Sequence, residues 1–159
     1  GRMKIIKGIK NSIIIDDSYN SSPVALDEAL KTLQTIEGAR RKIAVIGDMM
    51  ELGGHSMMAH KEAGAIASRS CHLLAVVGTR SRGIAEGALQ SGMREKDVLQ
   101  FDTSKEAGDY LESLISERDV ILVKGSQSMR MEKVVEEIMA NPENKENLLV
   151  RQEAEWQAR

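Results

Sequence analysis

Two hydrophobic periods alternate along the chain, and together they predict its secondary structure. Short apolar runs rich in β-branched residues predict buried strands at 12–15, 42–46, 73–77, 98–101 and 120–123. Between these runs, apolar residues recur every three or four positions, which predicts helices around 26–36, 59–67, 81–90, 107–115 and 131–139. A further strand is predicted at 4–7, pairing with the first run through a turn at 8–11.

Capping residues support several of these helices. Ser22 precedes Pro23, which is the order of an N-cap followed by a proline at the first helical position. Thr103 stands three residues before Glu106, which predicts a capping box. The Asn141-Pro142 pair is predicted to end the last helix, because the residue before a proline disfavours helical geometry.

Apolar strands that alternate with helices define the expected fold. Strands buried on both faces belong to parallel sheets that helices cover on both sides. We therefore predict an α/β, Rossmann-like three-layer domain over residues 1–142, with a mostly parallel sheet flanked by helices. Residues 143–159 form a charged tail whose apolar residues suggest either docking or an exit helix.

Composition narrows the function classes. The chain has 159 residues, a formal net charge of −2 and a hydrophobic share of 42%, which excludes a disordered chain and gives no reason to expect nucleic acid or an acidic membrane as partner. Its one cysteine, Cys71, excludes a disulfide framework and suits a reducing compartment. Without a long apolar run or a signal segment, a cytoplasmic domain is expected.

The nine methionines are interpreted as core packing rather than as a binding surface. The abrupt opening at Gly1-Arg2-Met3 suggests a domain cut from a longer protein.

Polar segments follow four of the predicted strands, and three of the four contain glycine. Parallel strands end at a common edge of the sheet, where such folds bind ligands, so these segments predict one cleft. Asp17 could bond ribose hydroxyls there or cap the helix that starts at Pro23. Lys124, at the end of a buried strand, is suited to facing an anion. Ser126 and Ser128 precede a helix, so they are either N-caps or part of a carboxylate or phosphate site.

Other reactive residue types carry a structural interpretation. His60 is predicted to lie on a helix face without metal-ligand spacing, and Cys71 is predicted to be an inert buried thiol. The sequence has no G-x-x-x-x-G-K-[ST] loop, no G-x-G-x-x-G after the first strand, no zinc-binding set of cysteines and histidines, and no G-x-S-x-G. We therefore expect no metal site and no catalysis by this domain alone.

Four strings occur in one order along the chain. They read G-R-M at 1–3, I-D-D-S-Y-N-x-x-P at 15–23, I-G-D-M-x-E-L-G at 46–53 with His60 following, and V-K-G-S-x-S-M-x-M-E at 123–132. Together they resemble the C-terminal domain of the Mur ligases, the ATP-dependent amide-forming enzymes of peptidoglycan synthesis. The family's diamino-acid branch shows D-Y-A-H and D-N-P-R, which are absent here. Within the family, the four strings look like those of the branch that adds D-alanyl-D-alanine to a UDP-N-acetylmuramoyl-tripeptide.

This resemblance implies a three-domain enzyme of which only the last domain is present. The first domain would hold the UDP-sugar, and the central domain would hold a P-loop, the magnesium ligands and a modified lysine. ATP would phosphorylate the tripeptide carboxylate, and the amine of D-alanyl-D-alanine would then displace phosphate. The partners implied are the two missing domains, UDP-N-acetylmuramoyl-tripeptide and D-alanyl-D-alanine, with no nucleic acid and no membrane.

The resemblance also assigns roles to residues at the strand ends. It implies three groups: ATP-binding residues, residues that bind the D-alanyl-D-alanine, and a loop facing the cleft between domains. The groups are Arg2, Asp17, Tyr19 and Asn20 for ATP, Lys124, Gly125 and Ser126 for the dipeptide, and Gly47, Asp48 and Glu51 for the loop.

Two other classes of protein fit some of the same residues. A signalling receiver domain has two acids after its first strand, a phosphorylated aspartate after a later strand and a lysine after the last. Asp16, Asp17, Asp48 and Lys124 follow that order. A stand-alone Rossmann-like module that binds a small molecule is the second alternative.

Overall fold

The chain folds into alternating strands and helices, as its hydrophobic pattern predicts. The structure is a computed structural model that describes residues 3–144. Its strands are β1 (Lys4–Gly8), β2 (Ser12–Asp17), β3 (Arg41–Gly47), β4 (Leu73–Val77), β5 (Val98–Phe101) and β6 (Asp119–Lys124). Its α-helices are α1 (Pro23–Thr35), α2 (Ser56–Ser70), α3 (Arg82–Gln90), α4 (Ser104–Leu114) and α5 (Glu132–Ile138). Each predicted strand and helix is present.

The strands form one sheet in the order β1-β2-β6-β3-β4-β5. All neighbours are parallel except β1, which pairs antiparallel with β2. Every residue of β4 and β6 is buried, because helices cover both faces of the sheet. One apolar core lies between the sheet and α4 and α5, and the second lies between the sheet and α1, α2 and α3. The predicted Rossmann-like three-layer α/β fold is confirmed.

The capping signals are confirmed in two of three cases. Ser22 Oγ accepts a hydrogen bond from the Ala25 N–H at 3.2 Å, with Pro23 at the first helical position. Thr103 Oγ1 accepts from the Glu106 N–H at 3.2 Å and donates to Glu106 Oε1 at 3.0 Å. The prediction that Asn141-Pro142 ends the last helix is wrong, since α5 ends at Ile138. The next residues leave the helix to pair with β1: Met139 forms a bridge with Gly8, and the Ala140 N–H donates to the Lys7 carbonyl at 2.9 Å.

The methionines divide between interior and surface. Met49, Met131 and Met139 are buried, as the core interpretation predicts, whereas Met57 and Met58 at the start of α2 are 76% and 65% exposed. Within residues 3–144, no helix is both long and apolar enough to cross a membrane. Most of the predicted tail lies outside the described residues, and the domain boundary at residue 142 stays a prediction.

Candidate functional site

The polar strand ends meet at one edge of the sheet. β6 lies between β2 and β3, so the three strands that precede the predicted site residues are neighbours. Asp17 and Lys124 are paired residues in the register of β2 and β6, and Asp48 directly follows the last residue of β3. The prediction that these three residues share one edge is confirmed.

Asp17 and Lys124 form a buried ion pair. Lys124 Nζ lies 2.9 Å from Asp17 Oδ2 and 2.9 Å from the carbonyl oxygen of Asn20. The Lys124 side chain is only 3% exposed and that of Asp17 is 12% exposed. Asp17 does not cap α1, because Ser22 holds that position. The pair lies on the side of the sheet that α1 covers.

A cleft of about 340 Å³ opens beside this pair. Its lining includes the strand ends, the segment that leads into α1, and the first turns of that helix. The lining residues are Met3, Asp17, Asn20, Ser21, Ser22, Ala25, Glu28 and Lys124. The predicted site residues do not include Met3, Ser21, Ser22, Ala25 or Glu28. The spacing of Ser22, Ala25 and Glu28 places them on one face of the helix start, which is the signal that could have found the last two.

A second part of the cleft, about 460 Å³, lies between the loops that follow β2, β3 and β6. Asn20 and Ser21 line both parts, so the two adjoin. The other lining residues are Met50, Glu51, Ser126, Gln127 and Ser128. Of the predicted loop residues, Glu51 lines the cleft. Met50 and Gln127 were missed, because each is an unremarkable residue brought in by its loop.

Ser126 ties two of these loops together. Its Oγ accepts a hydrogen bond from the Met50 N–H at 2.8 Å, and its own N–H donates to the Asp48 carbonyl at 3.0 Å. The alternative that Ser126 or Ser128 caps α5 is wrong, since Met131 occupies the N-cap position of that helix.

Glycine is required where the loops after β3 and β6 cross. A Cβ atom on Gly125 would lie 2.6 Å from Met131 Cγ and 3.2 Å from the Gly47 backbone. A Cβ atom on Gly47 would lie 2.9 Å from Met131 Sδ. Real Cβ atoms essentially never approach other atoms within 3.0 Å, so a side chain at either position would displace the Met131 side chain. The two predicted glycines therefore act through close packing.

Asp48 is engaged inside the protein. It is 4% exposed, and its Oδ1 accepts a hydrogen bond from the Ser81 N–H at 2.6 Å. Its Oδ2 lies 3.9 Å from the Arg80 guanidinium. The carboxylate also packs against Gly78, whose φ of +105° and lack of a Cβ leave room for it. Asp48 thus joins the loop after β3 to the loop after β4.

Asp16 lies beside Asp17 in β2 but on the opposite face of the sheet. It is 2% exposed, and its Oδ1 accepts hydrogen bonds from the Ser18 N–H at 3.1 Å and the Ser18 hydroxyl at 2.5 Å. Oδ2 has no hydrogen-bond partner among residues 3–144. Burial raises the pKa of Asp16 above its usual value of 3.8, since the charged carboxylate is poorly solvated there.

His60 has the structural role that the sequence predicts, whereas Cys71 is only partly buried and not the fully buried thiol that the sequence predicts. His60 is 1% exposed; its Nδ1 lies 2.7 Å from the Ser56 carbonyl, and its Nε2 accepts from the Met49 N–H at 3.0 Å. The ring therefore fastens the loop after β3 to α2. Burial raises the pKa of the Cys71 thiol to about 12, which suppresses the reactive thiolate.

Two further predicted residues, Tyr19 and Arg2, do not line the cleft among the described residues. Tyr19 is 42% exposed beside the cleft, and Arg2 lies outside the described residues. The predicted roles of Arg2, Tyr19 and Lys124 toward ATP or the dipeptide stay predictions. Residues 3–144 contain no group of three histidine, cysteine, aspartate or glutamate side chains that could hold a metal ion.

The strand order contradicts the receiver alternative. In a receiver domain, the first parallel strand lies between the second and the third. Here the first parallel strand, β2, lies next to the last one, β6. Asp48, which would be the phosphorylated residue, is buried and bonded to a backbone N–H. The receiver interpretation is therefore wrong.

Comparison with known proteins identifies the family. Residues 1–127 match the family model described as Mur ligase, glutamate ligase domain. The chain therefore belongs to the Mur ligase family, as the resemblance predicts.

The similar proteins narrow the branch. The UDP-N-acetylmuramoyl-tripeptide–D-alanyl-D-alanine ligase of Bacillus subtilis is 35% identical over 145 residues, covering 89% of this chain and 31% of the relative. The ligase of that name from Escherichia coli is 34% identical over 144 residues, covering 89% of this chain and 30% of the relative. The chain thus spans less than a third of the length of these relatives.

Solved structures agree with the sequence relatives. The crystal structure of MurF ligase from Thermotoga maritima in complex with ADP superposes with a TM-score of 0.70 at 26% identity, covering 86% of this chain and 30% of that chain. A MurF structure from Acinetobacter baumannii gives a TM-score of 0.70 at 30% identity, covering 84% of this chain and 29% of that one.

Proposed function

We propose that this chain is the C-terminal domain of an ATP-dependent ligase that joins D-alanyl-D-alanine to UDP-N-acetylmuramoyl-tripeptide in the cytoplasm. The observation that carries the proposal is the cleft at the strand ends, which has carboxylate, hydroxyl, amide and ammonium groups but no phosphate-binding loop in the sequence. Such a cleft suits one half of a ligand site. The names of the sequence relatives and the ADP in the Thermotoga maritima neighbour support the choice of reaction.

The reaction needs ATP because a carboxylate is a poor electrophile. A carboxylate oxygen of the tripeptide attacks the γ-phosphorus of ATP, and ADP leaves. The amine nitrogen of D-alanyl-D-alanine then attacks the acyl carbon and loses a proton, and phosphate departs with the electron pair of the broken C–O bond. Water must be kept from the acyl phosphate, which is what a domain closing over the site provides.

We assign the cleft to two ligands. Asp17, Tyr19 and Asn20, with Arg2, form the nucleotide part, in which the Asp17 carboxylate accepts hydrogen bonds from the ribose hydroxyls. Gly125 and Ser126 belong to the dipeptide part. Because a hydroxyl accepts and donates at once, Ser126 can hold the Met50 N–H and still donate to the dipeptide carboxylate.

The P-loop, the magnesium ligands and the sugar site belong, in this proposal, to the other domains. Residues 3–144 contain no group of three acidic, histidine or cysteine side chains that could hold a metal ion, and the proposal assigns the magnesium ligands to the central domain. This chain alone is expected to be inactive and to bind ATP weakly. Micromolar binding of ATP to this chain alone would contradict that expectation.

The test is an assay of the full-length protein with ATP, UDP-N-acetylmuramoyl-tripeptide and D-alanyl-D-alanine. Release of ADP and phosphate should require both other substrates, and the product should gain the mass of the dipeptide less water. A diamino acid offered in place of the dipeptide is the matched control and should give no product. Ligation of the diamino acid, or no ATP-dependent ligation, would refute the proposal.

The division of the cleft is tested in the same assay. Asp17→Ala should raise the apparent KM for ATP, and Ser126→Ala should raise the apparent KM for the dipeptide. If Asp17→Ala changed the KM for the dipeptide instead, the assignment of Asp17 to ATP would be wrong. If Ser126→Ala changed the KM for ATP instead, the assignment of Ser126 to the dipeptide would be wrong.

A further inference from the structure

We infer that Lys124 is a positioning residue for the nucleotide part of the cleft, which fixes Asp17 and Asn20 and does not itself bind the dipeptide. The inference deepens the proposed function and rests on it. It replaces the expectation that the Lys124 ammonium meets the dipeptide carboxylate.

The contacts of the ammonium are the first step. Lys124 is the last residue of β6, and its side chain is only 3% exposed. Two of its three N–H donors point to Asp17 Oδ2 and the Asn20 carbonyl oxygen, each at 2.9 Å. A buried ammonium is stable only when it is paired and hydrogen-bonded, so these contacts are a condition of its burial. A dipeptide carboxylate on the same ammonium would stand beside the Asp17 carboxylate, and like charges at that distance repel.

The effect on Asp17 is the second step. The bond from Lys124 to Oδ2 restricts the rotation of the carboxylate, and the side-chain hydrogen bond found for Asp17 within residues 3–144 engages Oδ2 and not Oδ1. Asp17 also lines the cleft, with 12% of its side chain exposed. An acceptor fixed before the ligand arrives loses less entropy on binding. Lys124 thus prepares the free oxygen of Asp17 for hydroxyl donors such as those of a ribose.

The effect on Asn20 is the third step. The tie to its carbonyl holds the segment between β2 and α1, and Asn20 Oδ1 accepts from the Ser21 N–H at 2.9 Å within that segment. Both residues line the nucleotide part of the cleft and also border the dipeptide part, whereas Asp17 lines the nucleotide part alone. By contrast, the dipeptide part is held by the bonds of Ser126 to Met50 and Asp48, which do not involve the ammonium. Loss of the ammonium should therefore weaken the binding of ATP and leave the binding of the dipeptide almost unchanged.

The experiment is a double-mutant cycle in the full-length ligase. Lys124→Met keeps the length of the side chain and removes the charge, and Asp17→Asn keeps the shape of the acid. Lys124→Met should raise the apparent KM for ATP about tenfold, as expected for a lost charge-assisted hydrogen bond, and leave that for the dipeptide within about twofold. In the Asp17→Asn background, Lys124→Met should add less than about threefold to the KM for ATP, because its main target is already altered.

Three results would overturn the inference: a raised dipeptide KM with unchanged ATP KM, additive effects of the two substitutions on the ATP KM, or no effect on either KM. If Lys124→Met alone does not fold, Asp17→Asn with Lys124→Met, which removes both charges, is compared with Asp17→Asn. If the double variant then has a higher KM for the dipeptide than Asp17→Asn, the inference is refuted. If its KM for ATP stays within about threefold of that of Asp17→Asn, the inference is supported. Failure of the proposed function is separate, because it appears as a wild-type enzyme without dipeptide ligation.

Discussion

Two buried carboxylates lie at opposite ends of the strands of the sheet, and they differ in how far solvent and a ligand can reach them. Asp119, the first residue of β6, is 0% exposed. Its Oδ2 accepts from the Ser116 N–H and the Arg41 guanidinium, each at 2.8 Å, and its Oδ1 lies 3.4 Å from the Arg40 guanidinium. Asp17, the last residue of β2, has one cation, Lys124, and an oxygen that faces a cleft.

The difference separates a structural carboxylate from a binding one. At Asp119, two arginines and a backbone N–H surround a carboxylate that solvent does not reach, and they join β6 to β3 and to the turn before it, although Oδ1 has no hydrogen bond within residues 3–144. At Asp17, the one ammonium neutralises the charge but leaves hydrogen-bonding capacity unused. A buried ion pair is therefore no sign of function by itself. The sign is an acceptor left free where a cleft reaches the pair.

The largest expected effect is on stability, at the closed edge. Asp119→Ala leaves Arg41 without its carboxylate and should lower the free energy of unfolding by about 3 kcal/mol, as expected for breaking a buried pair. Urea denaturation of this chain measures the loss. Glu117→Ala, an exposed acid two residues away, is the control and should change stability by less than about 0.5 kcal/mol. Equal losses in the two variants would show that the closed site contributes nothing special.

The open edge should respond in the opposite way. In Asp17→Asn, the amide oxygen can still accept from Lys124, but the buried ammonium loses its counter-charge, so the loss of stability should be about 2 kcal/mol, smaller than that of Asp119→Ala. In the full-length ligase, the apparent KM for ATP should rise about tenfold, because a charged acceptor for the ribose becomes a neutral one. Urea denaturation and steady-state kinetics measure the two effects. A stability loss as large as that of Asp119→Ala, with unchanged ATP kinetics, would make Asp17 structural as well.

The sequence predicts which residues share the cleft edge but not how they contact one another. Hydrophobic periods locate the strands, and parallel strands end at a common edge, so Asp17, Asp48 and Lys124 could be grouped in advance. The ion pair itself depends on the register of β2 against β6, which no local pattern records. The end of α5 is missed for the same reason. The sequence places it at Asn141, but pairing with β1, more than 120 positions earlier in the chain, ends the helix at Ile138.

The smallest expected effect compares Asp17 with its neighbour Asp16, one residue earlier and on the other face of the strand. Because burial raises the pKa of Asp16, the folded protein holds this proton more tightly than the unfolded chain. The stability that the protonated carboxyl contributes is complete below its ordinary pKa of 3.8 and is lost as the pH rises through the folded-state pKa.

Asp16→Asn should remove this pH dependence while keeping an amide oxygen for the two bonds from Ser18. The stability of the variant relative to wild type should therefore increase as the pH rises from about 4 toward neutrality. Urea denaturation across this range measures it, with Asp102→Asn, whose side chain is 76% exposed, as the flat control. A difference that stays constant with pH would show that burial does not raise the pKa of Asp16.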